Sequence, residues 1–286
     1  MSPVVHLNGQ FLPLDQAFVP VLDRGFIFGD GVYEVIPVYS RHVFRLEEHL
    51  RRLQHSLDGI RLANPHTDEE WGQLIRELVA RNAGDDQYVY FHITRGVAKR
   101  DHAFPQNTAP TVFMMSSPLI TSPQELVETG ISAVSANDNR WDRCDIKSIA
   151  LLPNVLLRQV AVDHGAAETV LFRDGILTEG SASNIFAVEN GVILAPPKDN
   201  HMLPGITYDL VLELAAAHGI PLEIGKYHES RIRAANELWL TSSTKEVLPI
   251  IRLDAQPVGD GKPGAVFWKM HALYQDYKTR VMRSPA

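Results

Sequence analysis

The sequence predicts an α+β fold in two domains, because its helical patterns fall in groups between runs of hairpin strands. Three observations carry this. Two-residue turns with glycine, Asn8-Gly9, Asp174-Gly175 and Asn190-Gly191, separate short apolar runs as hairpins require. Apolar residues three and four apart mark helices over 46–60, 71–79, 206–217 and 265–281. Ser117-Pro118 and Ser122-Pro123 interrupt regular structure between 116 and 124, so domains of 1–120 and 121–286 are expected.

Taken in order, residues 4–7 and 10–12 form a hairpin around Asn8-Gly9. Residues 32–39 read as a strand in which Pro37 requires an edge or a bulge. Ser40-Arg41 turns the chain back into His42-Val43-Phe44. The next helix aligns Leu46, Leu50, Leu53, Leu57 and Ile60 on one face, and its other face offers Glu47–Arg51 and Glu48–Arg52 pairs. A second helix carries Trp71, Leu74, Ile75, Leu78 and Val79. Strands follow over 87–94, 110–116 and 131–136. Pro153 suits a helix start and Gly165 its end. The 206–217 helix stops at Gly219 before Pro221.

Composition narrows the function. The chain has 286 residues, 45% of them hydrophobic and 21% charged, which supports real cores. A net charge of −7 with scattered Lys and Arg argues against nucleic acid and anionic membranes as partners. A single cysteine, Cys144, excludes an internal disulfide and fits a reducing compartment. The N-terminus lacks a signal-peptide pattern, and no apolar run approaches the ~18–20 residues that cross a bilayer. A cytoplasmic protein is expected.

The chemistry points to one cofactor. Lys147, in Arg143-Cys144-Asp145-Ile146-Lys147-Ser148, is followed by Glu179 in the turn Thr178-Glu179-Gly180-Ser181-Ala182-Ser183-Asn184. Pyridoxal phosphate needs an amine to bond, an acid for its ring nitrogen and donors for its phosphate. Ser181, Ser183 and Asn184 would add polar partners beside Glu179. Leu203-Pro204-Gly205-Ile206-Thr207 enters a helix whose free N–H groups suit a dianion, and Thr241-Ser242-Ser243-Thr244 could add hydroxyls. Arg52 could supply a cation, though a plain pair with Glu48 explains it equally. Lys147 alone reads most simply as a surface lysine, and Glu179 as a turn residue. The Gly25/Gly29/Gly31 spacing is not a dinucleotide fingerprint, and Gly259-Asp260-Gly261-Lys262-Pro263 is not a P-loop. The twelve histidines form no His-Glu-x-x-His pattern, so no metal is expected.

Asp23-Arg24-Gly25-Phe26-Ile27-Phe28-Gly29-Asp30-Gly31-Val32-Tyr33-Glu34 resembles the N-terminal signature of the class IV aminotransferases, the fold type IV pyridoxal phosphate enzymes. Segments 88–105, 140–152, 178–186, 203–207 and 240–249 match the pattern of that family's D-amino acid transaminases in order. The resemblance implies a homodimer with the cofactor in an interdomain cleft and the second domain carrying the Schiff-base lysine, Lys147. It makes Glu179 the ring-nitrogen partner and Arg52, Ile206, Thr207, Ser242 and Ser243 the phosphate ligands. Leu203 would pack on the ring and Arg140 lie near the cofactor's polar edge. Tyr33, Arg100 and His102 would trap the substrate carboxylate, the last two reaching in from the neighbouring subunit.

The implied reaction is ping-pong transamination between D-amino acids and 2-oxo acids, with D-alanine and 2-oxoglutarate the family's typical pair. A branched-chain L-amino acid or (R)-amine transaminase, or an aminodeoxychorismate lyase, would keep the fold and change the chemistry. Two residues depart from the pattern: Ala182 stands where serine is frequent, and Tyr208 where arginine is common.

Overall fold

Asn8 and Gly9 adopt positive φ of 48° and 87°, the geometry a tight hairpin demands, and join β1 (Val4–Leu7) to β2 (Gln10–Pro13). The computed structural model describes residues 2–284 and divides into two units. The first gathers the chain up to Ile120, Ile146–Leu151 and the residues from Val281 onward; the second holds Thr121–Asp145 and Leu152–Arg280.

In the first unit, the Asp23 side chain accepts a hydrogen bond from Gly25 N–H at 2.8 Å and caps a short helix, α1 (Arg24–Phe28). Gly29, at φ 66°, ends it. β3 (Gly31–Tyr39), β4 (His42–Val43), α2 (Leu46–Gly59), α3 (Asp68–Arg81), β5 (Gln87–Thr94) and β6 (Thr111–Pro118) follow. The sheet is antiparallel, in the order β2-β1-β6-β5-β3-β4. Pro37 pairs with Tyr88 on one side, while β4 pairs only with Val38 and Tyr39, so the missing N–H falls on an edge as expected. Alternate residues of β3 and β5 (Val32, Ile36, Val38; Val89, Phe91, Ile93) bury against Leu50, Leu53 and Leu57 of α2 and Trp71, Ile75 and Leu78 of α3.

The lysine segment corrects the expectation that Lys147 belongs with the second domain. Ser148 bridges Val32, Tyr33 N–H donates to the Lys147 carbonyl at 2.9 Å, and Ile146 joins the core of the first unit. Backbone pairing with β3 overrides sequence position.

The second unit contains α4 (Gln124–Thr129), β7 (Ile131–Asn137), α5 (Leu152–Asp163), β8 (Glu168–Arg173), β9 (Ile176–Gly180), β10 (Asn184–Glu189), β11 (Val192–Ala195) and α6 (Ile206–Ala217). It continues with β12 (Leu222–Ile224), α7 (Glu229–Arg233), β13 (Glu237–Ser242), β14 (Glu246–Leu253), β15 (Gln256–Pro257) and α8 (Ala265–Tyr277). Its sheet runs β12-β11-β10-β13-β14-β7-β8-β9, with β15 paired to β14. Three pairings, β11·β12, β14·β7 and β7·β8, are parallel. Trp239 of β13 is fully buried, with Phe186 and Phe267 near its ring, and α6 and α8 pack on β13. The terminal helix is shorter than the sequence pattern suggests: past Tyr277 it widens into a π-helical turn over Lys278–Met282.

Candidate active site

Lys147 is fixed at its backbone and its amine. Its N–H donates to Ser56 Oγ at 3.1 Å, its carbonyl accepts from Tyr33, and its Nζ stands 4.1 Å from the centroid of the Tyr33 ring.

Beneath it lies a buried charge cluster. Arg52 is 8% exposed, so it is not on the polar side of its helix as the helical spacing implied. Its Nε and Nη2 donate to Glu34 Oε1 and Oε2, both at 2.8 Å, a bidentate pair. His49 Nδ1 lies 2.9 Å from Glu34 Oε2, and His49 Nε2 is buried with no hydrogen-bond partner among the described residues. Burial alone would raise Glu34, but the Arg52 charge and the hydrogen bonds from Arg52 and His49 hold its carboxyl well below the usual carboxylate range. Burial keeps His49 below its ordinary value, so it is neutral with the proton on Nδ1, facing an oxygen that can only accept. Sequence reasoning missed Glu34 and His49. The available signal was an acid on the strand face otherwise lined by Val32, Ile36 and Val38.

Arg100 and His102 are exposed on the loop after β5. The Arg100 guanidinium and the His102 imidazole lie 5.3 Å and 5.4 Å from the Phe28 ring. Among the described residues, no hydrogen bond or ring contact joins either to Tyr33. The loop is nonetheless held. Buried Arg24 donates through Nη1 to the carbonyls of Asp101 (2.6 Å) and Ala103 (3.3 Å), either side of His102, and through Nε to Asp30 (2.7 Å). Arg95 also binds Asp30 through Nε and Nη2. The glycine-rich signature is thus a brace for this loop, a role that spacing alone could not reveal.

In the second unit Glu179 is the centre. Its Oε1 accepts from Arg140 Nη1 at 2.5 Å, and its Oε2 from Asn184 Nδ2 at 3.1 Å and from the Leu203 N–H at 3.2 Å. Arg140 Nε and Nη2 each hold Asp138, at 2.9 Å, so its guanidinium is engaged by two carboxylates. Burial pushes Glu179 up to about 7, against the pull of Arg140. Burial opposes the Asp138 charge as well, but hydrogen bonds from Arg140 and Thr178 bring that carboxyl down to about 2.

Asn184 links these groups to the start of α6. Its Nδ2 also donates to the Leu203 carbonyl at 2.9 Å, and a Cβ on Gly205 would meet its Oδ1 at 2.1 Å, so a side chain there would displace the Asn184 amide. Ile206 and Thr207 are the first, buried residues of α6, which has no side-chain cap at Gly205. Asn184 pairs in register with Thr241, whose buried Oγ1 has no hydrogen-bond partner among the described residues, and Ser242 and Ser243 follow it. Tyr208 is core: it stacks on Phe186 at 4.8 Å and donates to the Pro196 carbonyl at 2.6 Å. Ala182 is exposed, while the Ser181 and Ser183 hydroxyls donate to Glu168 rather than standing free. Cys144 is a buried filler whose thiol donates to the Trp141 carbonyl and is pushed up to about 12 by burial.

The sequence pattern of the amino-transferase class IV family matches residues 31–253. The chain belongs to the class IV aminotransferases. It is 37% identical over 273 residues to a D-alanine aminotransferase of Staphylococcus aureus (strain MSSA476), covering 96% of this chain and 97% of that one. It is 38% identical to the D-alanine aminotransferase of Bacillus licheniformis over 272 residues, 95% of this chain and 96% of that protein. Among solved structures, a T.th. branched-chain amino acid aminotransferase with pyridoxamine 5'-phosphate superposes with a TM-score of 0.91 at 26% identity, covering 100% of this chain and 96% of that one. The Escherichia coli branched-chain amino acid aminotransferase gives 0.88 at 26%, covering 95% and 93%.

The family's cofactor is pyridoxal phosphate, and the residues of this aminotransferase fit it. Glu179 is a buried carboxylate suited to a protonated ring nitrogen. The uncapped start of α6 and the orphaned Thr241 hydroxyl are unmatched donors where an anion would sit. No cluster of ligating side chains suits a metal, and no helix is long and apolar enough to cross a membrane, among the described residues.

Proposed function

We propose that this class IV aminotransferase exchanges amino groups between D-amino acids and 2-oxo acids, with D-alanine and 2-oxoglutarate as its typical pair, in ping-pong fashion. Lys147 is the covalent attachment point, and its freed ε-amine carries the proton between the substrate α-carbon and C4′ of the cofactor. Bound pyridoxal phosphate supplies the electron sink that makes the α-proton removable. Glu179 partners the ring nitrogen, with Arg140 acting through it, and Leu203 packs on the ring. Arg52, Ile206, Thr207, Ser242 and Ser243 hold the phosphate. Tyr33, with Arg100 and His102 of a second copy, binds the α-carboxylate. Fixing that group decides which α-substituent faces Lys147, and hence the stereochemistry.

The observation that carries the D-specific reading is the braced loop. Arg24 clamps the carbonyls on both sides of His102, leaving Arg100 and His102 exposed and side by side over Phe28. Support also comes from the D-alanine aminotransferases at 37% and 38% identity. A homodimer is favoured by apolar side chains left exposed in both units, Phe18, Val21 and Phe26 in one, Leu152, Val155, Leu156 and Val162 along α5 in the other. A cytoplasmic setting suits the single free thiol.

The second reading is a branched-chain L-amino acid aminotransferase, favoured by the backbone likeness to the two branched-chain enzymes. Steady-state kinetics of R100A and H102A separate the two. The D-amino acid reading expects kcat/KM for D-alanine to fall by about 10²-fold or more as carboxylate binding is lost. Undiminished turnover of D-alanine in both variants would remove them from the trap.

A further inference from the structure

Glu168, at the start of β8, is fully buried and belongs to none of the groups assigned above. Its Oε1 accepts the Ser181 N–H at 3.1 Å, the Thr169 N–H at 2.9 Å and the Ser181 hydroxyl; its Oε2 accepts the Ser183 hydroxyl at 2.8 Å. These bonds fix the turn between β9 and β10, whose two flanks are Glu179 and Asn184. The turn is further pinned by Gly180 N–H to the Ser183 carbonyl at 2.7 Å and by Asn154 to the Ser181 carbonyl at 2.9 Å.

The same carboxylate reaches a second turn. Lys245 Nζ lies 3.6 Å from Glu168 Oε2, and the Lys245 N–H donates to Ser242 Oγ at 3.1 Å. With a lone pair of Ser242 so occupied, its hydroxyl proton is left to donate outward. β10 and β13, which lead into and out of these turns, are hydrogen-bonded neighbours with Asn184 opposite Thr241.

We propose that Glu168 and Lys245 are positioning residues that lock the Glu179 turn and the Ser242-Ser243 turn into one arrangement, so that the ring end and the phosphate end of the cofactor are gripped together. This rests on the assignment of Glu179 and Ser242-Ser243 to the cofactor. Glu168 holds the ring partner's turn directly. Lys245 is the strut from that turn to the phosphate hydroxyls.

The test compares affinities of the apoprotein for pyridoxal phosphate and for pyridoxal, which lacks the phosphate, in K245A, K245R, S242A and E168Q. A purely structural loss weakens both ligands alike, whereas a lost strut lowers only the ratio of phosphate-bearing to phosphate-free affinity. K245A is expected to lower that ratio about three- to tenfold, the range of a partly buried ion pair, and K245R to restore it. E168Q removes the anchor of the strut together with one of the two acceptor oxygens of the Glu179 turn, so it is expected to lower the ratio as K245A does and, in addition, to weaken both ligands. An unchanged ratio in K245A, beside a lowered one in S242A, overturns the strut while sparing the phosphate assignment. An unchanged ratio in S242A as well removes the phosphate assignment itself, and the strut with it.

Discussion

The Lys147 carbonyl accepts a hydrogen bond from the Tyr33 N–H at 2.9 Å, and the Lys147 Nζ stands 4.1 Å from the centroid of the Tyr33 ring. One residue of β3 thus fixes the lysine at both ends. The lysine proposed to bond the cofactor is held by the strand that carries the phenol proposed for the substrate carboxylate.

K147R keeps the charge over Tyr33 but removes the amine that bonds and shuttles the proton. Its turnover should fall by at least about 10³-fold, while its melting temperature stays close to that of the parent. Assays with D-alanine beside thermal denaturation check this. Turnover within tenfold of the parent would contradict the assignment.

E34Q removes the carboxylate that pairs with Arg52 and leaves a buried guanidinium short of a partner. Breaking a buried pair costs on the order of 3 kcal/mol, so denaturant unfolding should show a large loss. Because folding depresses Glu34, its stabilisation is present above the ordinary glutamate pKa and is lost as pH falls below it. The parent should therefore lose more stability than E34Q between neutral and acid pH.

Glu179 has the opposite sign. Its folded value is raised to about 7, so its contribution is fully present below the ordinary glutamate pKa and is lost as pH rises through 7. Without cofactor, the parent should lose stability on the order of 3 kcal/mol relative to E179Q between pH 4 and pH 8. Parallel pH–stability curves for the two apoproteins would contradict the shift.

R24K keeps a cation for Asp30 but gives up the fork that reaches the carbonyls of Asp101 and Ala103. The loop carrying Arg100 and His102 should loosen. The expected result is a KM for D-alanine raised about tenfold with cofactor affinity little changed, read from initial rates and equilibrium titration. Equal losses in both would assign Arg24 to the fold alone.

L156E places a charge on the exposed apolar face of α5. Sedimentation should show the parent at twice the chain mass and the variant shifted to the single chain. A monomeric parent would remove the shared trap.

Much of the architecture was legible because hairpin dipeptides and apolar spacing are local. The turns at Asn8-Gly9, Asp174-Gly175 and Asn190-Gly191 adopt the positive φ their sequences demand, and α6 spans the residues its pattern marks. What escaped was set by distant partners. Arg52 looked like a surface residue pairing along its helix, because Glu34, on a strand, is invisible to helical spacing. The 95–102 run by itself has the composition of a solvated basic loop, because Arg24 and Asp30, which hold it, lie far upstream. Ser181 and Ser183 looked free, because Glu168 sits on another strand. Lys147 was legible as a candidate, but its place beside β3 depends on backbone pairing that no local pattern encodes.

The most direct measurement is the visible absorption of the purified holoprotein titrated with D-alanine, and separately with L-alanine and L-leucine, with no oxo acid present. The account predicts that D-alanine alone bleaches the long-wavelength absorption of the lysine-bound cofactor, in proportion to sites. Bleaching by L-leucine and not by D-alanine would contradict the role given to Tyr33, Arg100 and His102, and would make the chain a branched-chain L-amino acid enzyme of the same family.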